Sequence, residues 1–132
     1  MIPRLIIVLV LAAGLIGLAA FEQIYIQGSY KHMERETVAL LAIIEPLPDD
    51  AVGTPEAIKK VNDMYDWWIK RERHLTMLAR HFDLSLISDA LIYAKNFIHF
   101  DNKEETMAGL LRLQYLIKTH SFNVGTSVQN VI

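Results

Sequence analysis

The chain has 132 residues, 52 % of them hydrophobic, with 13 Lys and Arg against 15 Asp and Glu, a formal net charge of −2 and no cysteine. Nucleic-acid affinity needs clustered basic side chains to neutralise phosphates, so this near-balanced composition argues against a nucleic-acid partner. The absence of cysteine excludes disulfides, thiolate metal sites and Cys nucleophiles, and the length suits one small domain plus an anchor.

The apolar excess sits at the N-terminal end. Residues 5–21, Leu5 through Phe21, contain only apolar side chains and two glycines, and Arg4 is the only basic residue before them. As a helix this run reaches roughly 26 Å at 1.5 Å per residue, close to the ~30 Å hydrocarbon core of a bilayer. Ile24, Tyr25 and Ile26 extend it, and a charge is costly inside hydrocarbon, which puts Glu22 near the boundary. The sequence therefore predicts a membrane anchor over residues 1–26, meeting lipid through residues 5–21. Arg4 and the amino terminus favour a cytoplasmic N-terminus, with a domain of residues 27–132 on the extracytoplasmic side of the cell membrane. A signal peptide cut at the small residues Gly17-Leu18-Ala19 is the rival reading; the length of the run and its thin basic flank favour an uncleaved, single-pass anchor.

No proline lies between Arg4 and Glu45, so the first helix should run unbroken to Ile44. Tyr30, Met33, Thr37, Leu40 or Leu41, and Ile44 recur at three- and four-residue spacing and form its inner seam. Pro46 ends it, and residues 46–54 read as a loop. Thr54 followed by Pro55 is a helix start. The second helix carries Ile58, Val61, Tyr65, Trp68, Leu75, Ala79 and Phe82 on one side and should stop near Phe82-Asp83. Asp83 or Ser85 caps a third helix with Leu84, Ile87, Leu91, Ala94 and Ile98 on its seam. Asp101 with Glu104 three residues on reads as a capping box for a fourth helix that buries some of Met107, Leu110, Leu111, Leu113 and Ile117. Gly125 and its polar surroundings should end regular structure, leaving a C-terminal strap. The fold class is all-α: a transmembrane helix continuing into an antiparallel bundle of about four helices, since short connections make successive helices antiparallel neighbours.

Within that layout Glu72 falls on the seam between Trp68 and Leu75. A buried carboxylate needs a partner, so Glu72 should be paired or lie at the seam's exposed edge; the antiparallel arrangement puts Lys31 and Lys95 at its level, and a structural ion pair is expected. Of Trp67 and Trp68, one ring should fill the core and the other point outward, because neighbours differ by about 100° on a helix. The outward one, with Arg71 and Arg73, is the candidate partner contact, as aromatic residues and Arg are enriched in binding hot spots. The five histidines form no metal motif; only His81, Asp83 and His120 could meet, near the membrane end. No nucleophile motif or phosphate loop is present. Neither a catalytic activity nor a cofactor is expected.

The tryptophan-bearing stretch from Trp68 to Glu72 and Leu75, the turn His81-Phe82-Asp83-Leu84, the acidic turn Asp101-Asn102-Lys103-Glu104-Glu105 and the closing Ser127-Val128-Gln129-Asn130-Val131-Ile132, behind an N-terminal anchor, resemble the bacterial domain of unknown function 4363 family. The chain departs from that pattern in its proline-bearing loop at 46–55. The resemblance implies no catalytic residue; it implies an accessory partner of small multi-pass membrane proteins. Together these readings describe a membrane-tethered helical interaction module, an accessory or assembly subunit of another envelope protein, with self-association also open. A ligand-binding or sensory bundle acting through a membrane partner is the alternative.

Overall fold

The computed structural model of the chain describes residues 2–76 and 81–131, with side chains placed for 2–76 and 83–120. Among the described residues four helices account for the regular structure: α1 (Ile2–Ile44), α2 (Pro55–Leu75), α3 (His81–His99) and α4 (Lys103–Val131). Among the described residues there is no strand. Helix α1 packs against α2 and α4, and α3 packs against α2 and α4; the pairs α1–α3 and α2–α4 make no close backbone approach among the described residues.

Helix α1 is continuous but divided in character. One 18-residue stretch near the N-terminus is long and apolar enough to cross a membrane, and none of it is buried. From Ile26 onward a seam is buried every three or four residues: Ile26, Ser29, Tyr30, Met33, Thr37, Leu40 and Ile44. The hydroxyls of Ser29 and Thr37 on this seam are satisfied within the helix. Ser29 Oγ donates to the Tyr25 carbonyl at 2.8 Å and Thr37 Oγ1 to the Met33 carbonyl at 2.6 Å, so neither leaves a polar atom stranded in the core.

Thr54 caps α2 as its sequence suggests: its Oγ1 accepts from the Ala57 backbone N–H at 3.2 Å, and Pro55 occupies the first turn. The helix ends earlier than its apolar spacing indicates, at Leu75, with the Thr76 N–H bonded to the Glu72 carbonyl. Ala79, expected on its seam, lies outside the described residues. Phe82, also expected there, belongs to α3, which begins at His81 rather than at an Asp83 or Ser85 cap. The α3 seam is as anticipated: Leu84, Ile87, Leu91, Ala94 and Ile98 are all fully buried.

The start of α4 is shifted by one residue. Asn102, not Asp101, is the cap, its Oδ1 accepting from the Glu105 N–H at 3.1 Å. Asp101 has a positive φ of 56°, a left-handed conformation that Asp tolerates better than most residues. Its carboxylate reaches back to the 45–54 loop and accepts from the Gly53 N–H at 2.7 Å. Only glycine fits opposite it, since a Cβ on residue 53 would lie 2.7 Å from that carboxylate oxygen and 2.9 Å from the Ile98 carbonyl. Lys103 closes the same junction. Its Nζ donates to the carbonyls of Glu45 and Leu47 at 2.6 and 2.8 Å, supplying at the end of α1 the positive charge that its own last turn lacks.

Further along, Leu110, Leu113 and Ile117 of α4 are buried, Met107 is half-buried and Leu111 is exposed. Gly109 lets α4 approach α3 closely: a Cβ there would lie 2.9 Å from Tyr93 Cδ1 and 3.3 Å from Ala94 Cα. The backbone stays helical through Gly125 to Val131, where the composition argues for a strap. A single glycine costs a helix only about 1 kcal/mol, and no proline follows it. Contacts expected of the tail's side chains lie outside the described residues.

Candidate functional site

Three groups of side chains stand out. The first joins α1 to α2. Trp68 is fully buried, whereas Trp67 lies in the α1–α2 groove, half-buried. Its ring stacks on His32 with centroids 3.9 Å apart and planes 25° apart. The Arg71 guanidinium lies over both Trp67, at 4.8 Å from the ring centre, and Tyr25, at 4.6 Å. Burial in this stack pushes the His32 imidazole below its ordinary pKa, against the pull of Glu36, with Arg35, Arg71 and Lys60 adding to the depression. Of the expected partner residues, Trp67 and Arg71 are therefore engaged within the chain, and only Arg73 is exposed. One turn further along α1, Glu36 pairs with Lys60.

The second group holds Glu72, and its partner differs from the expected lysine. Trp68 Nε1 donates to Ser88 Oγ at 2.8 Å, and Ser88 Oγ donates to Glu72 Oε2 at 3.0 Å. Glu72 is half-buried, so water reaches the carboxylate and a full counter-charge is unnecessary. Lys95 is drawn elsewhere: its Nζ sits 4.2 Å from the centre of the Tyr65 ring. Lys31 is exposed on α1. Neither lysine pairs with Glu72 among the described residues. Ser88 was the missing piece in the sequence reading. A buried serine facing a core tryptophan at matching height was its only signal.

The third group lies where the start of α3 meets α4. His120 is buried and its Nδ1 lies 3.7 Å from Asp83 Oδ2. Neither of its ring nitrogens has a hydrogen-bond partner among the described residues. Tyr30 is buried nearby, and burial, with the Asp83 charge adding, pushes its phenol up to about 12. His81 belongs to the proposed meeting with these two, but its side chain lies outside the described residues. Among the described residues no three His, Asp or Glu side chains are placed to hold a metal ion.

Two open depressions mark the described surface. One, of about 610 Å³, lies where the 45–54 loop meets the start of α4 and is lined by Asp49, Asp50, Phe100, Asp101, Lys103 and Glu104 among others. The other, of about 210 Å³, is a shallow groove between α3 and α4 beside Tyr93, Gly109 and Arg112. There Tyr93 Oη donates to Glu105, which raises the phenol pKa, mainly through that hydrogen bond. Large apolar side chains outside the N-terminal stretch are exposed at Val38, Ile92, Tyr93, Phe100, Leu111 and Tyr115. No protein-family model, curated protein or solved structure matches this chain.

Proposed function

We propose that this chain is a single-pass membrane-anchored interaction module with a cytoplasmic N-terminus, an accessory or assembly subunit that holds a helical domain on the extracytoplasmic face for another envelope protein. The observation that carries the reading is the division of α1. The same unbroken helix is apolar and wholly exposed in its first part, then packed on one seam in its second. Exposed apolar surface of that extent needs lipid or protein cover, and a helix with no polar face matches the requirements of a bilayer span.

An antiparallel bundle is the arrangement that accounts for the contacts. Tyr25, His32 and Glu36 on α1 meet Arg71, Trp67 and Lys60 on α2, a series that rises along one helix and falls along the other. Tyr65 and Trp68 of α2 meet Lys95 and Ser88 of α3 in the same sense. Asp83 and Tyr93 of α3 meet His120 and Glu105 of α4 likewise.

The protein-facing surface in this reading is the outer side of α1 and α4. Val38, Leu111 and Tyr115 are 48, 52 and 67 % exposed, and the contact of Lys103 with Glu45 sets the first two at similar heights. Aromatic and aliphatic side chains of this kind serve as anchors in interfaces. This shifts the contact away from Trp67 and Arg71, which their own stack occupies. A photocrosslinker placed at Tyr115 in intact membranes should capture a discrete protein that the same probe at exposed Asp66 does not. Identical patterns from the two positions would count against the interaction role.

A further inference from the structure

The charges of the chain nearly cancel in sum, yet two short stretches are each dominated by one sign. Asp49, Asp50, Asp101 and Glu104 collect around the depression where the 45–54 loop meets α4, and the one lysine among them, Lys103, has its ammonium on two backbone carbonyls. The end of α2 is the reverse. Lys70, Arg71, Arg73 and His74 follow one another with Glu72 as the only acid, and Glu72 accepts from Ser88. Among the described residues, none of Lys70, Arg71 or Arg73 forms an ion pair.

Height decides what this basic end meets. The Arg71 guanidinium rests 4.6 Å from the centre of the Tyr25 ring, and Tyr25 lies four residues beyond Phe21, the last residue of the apolar run. That is about 6 Å along α1. The headgroup layer outside the hydrocarbon core is about 5–7 Å thick on each side. An anchor that fills the core therefore sets Arg71 at the level of the lipid phosphates, with exposed Lys70, Arg73 and His74 beside it.

Resting on the reading of residues 5–21 as a membrane span, we infer that the C-terminal end of α2 binds the phosphate groups of anionic phospholipids in the leaflet from which the anchor emerges. Arginine suits this role because its planar guanidinium presents several N–H donors to phosphate oxygens. The rings of Tyr25 and Trp67 hold the face of Arg71, which restricts its rotamers before any lipid arrives and leaves its edge donors available. Opposition to the helix dipole explains cations in the last turn of α2. It does not explain Lys70 one turn earlier, nor the seating of Arg71 over two rings at the interface. The Debye length is about 8 Å at physiological salt, and the acidic junction stands roughly 30 Å further along α1, so the surface acts on the basic end of α2 alone.

The test uses the full chain, reconstituted in nanodiscs of mixed phosphatidylcholine and phosphatidylglycerol and released for native mass spectrometry. Each engaged cation should contribute about fivefold in affinity for an anionic surface, so the wild type should retain phosphatidylglycerol at least tenfold over phosphatidylcholine. The Lys70→Gln/Arg71→Gln/Arg73→Gln variant should lose that preference, and Asp49→Asn/Asp50→Asn should keep it. If the triple variant loses helicity, Arg73→Gln, an exposed change, should still lower the preference several-fold; no change in it overturns the inference. Equal retention of both lipids by the wild type, or displacement of the lipid by inorganic phosphate, overturns it too. So does release of a bound protein by the substitutions with lipid retention unchanged. A chain that alkaline carbonate extracts from membranes would instead overturn the anchor reading itself, and the headgroup site with it.

Discussion

Ser88→Ala removes a single oxygen that serves two partners. In the wild-type fold Ser88 Oγ accepts from the fully buried Trp68 indole at 2.8 Å and donates to Glu72 at 3.0 Å. Alanine leaves the indole N–H without an acceptor in a core that excludes water, which costs about 1–3 kcal/mol. The lost bond to Glu72 adds less, because that carboxylate is half-exposed and regains water. Alanine returns roughly 0.5 kcal/mol through its better helix propensity. The net expectation is about 2 kcal/mol of destabilisation, or a fall in melting temperature of about 10 °C for a domain of this size. Circular dichroism of the detergent-solubilised full chain reads the transition, and near-ultraviolet signals from the tryptophans report the same site. Lys95→Gln and Lys31→Gln should each cost no more than about 1 kcal/mol, since neither lysine holds Glu72. A Ser88→Ala variant that melts with the wild type, or a lysine variant that melts as low as Ser88→Ala should, would refute the reasoning.

Gly109→Ala should destabilise by about 1 kcal/mol despite the gain in helix propensity, because its Cβ meets Tyr93 and the α3 backbone at 2.9–3.3 Å; a rise in melting temperature would contradict the close crossing. Asn102→Ala should cost about 1 kcal/mol as a lost cap, and chemical denaturation should rank it well above Glu104→Ala. His120→Leu should leave stability unchanged or raise it, since neither buried ring nitrogen has a described hydrogen bond to lose and the Asp83 contact is long, at 3.7 Å. Tyr30 has its folded-state pKa raised from 10 to about 12, so the folded state favours the neutral phenol. That contribution to stability is intact below pH 10 and is lost as pH rises from 10 towards about 12. Tyr30→Phe should therefore carry the alkaline unfolding midpoint upward, read by circular dichroism across a pH titration.

Much of the fold was legible because it rests on local rules. The absence of proline before Glu45 gives α1 its length, and the three-and-four spacing from Tyr30 to Ile44 names its buried side. Thr54-Pro55 announces α2, and the α3 seam emerges from spacing alone. The errors lie where distant parts of the chain compete for one side chain. Asp101 and Asn102 are both good caps by type, and the choice falls to Asn102 because Gly53, far away in sequence, claims the Asp101 carboxylate. Glu72 looked in need of a lysine because its height was readable and its access to water was not. Lys95 was at hand, but the face of Tyr65 holds it. Trp67 read as outward-facing, and the pattern carried no sign that His32 and Arg71 would enclose it. Helix α4 passes Gly125 because one glycine is a weak stop without a proline behind it.

The absence of native cysteine makes the central claim open to direct measurement by single-cysteine labelling of intact cells that express the chain. With a membrane-impermeant maleimide, Asp50→Cys should label at once, whereas Ile2→Cys should label only after the cells are broken. Ala12→Cys should stay unreactive in both states until detergent is added. Rapid labelling of Ala12→Cys in membranes would mean that water reaches the middle of the apolar stretch, and α1 would then not be an anchor.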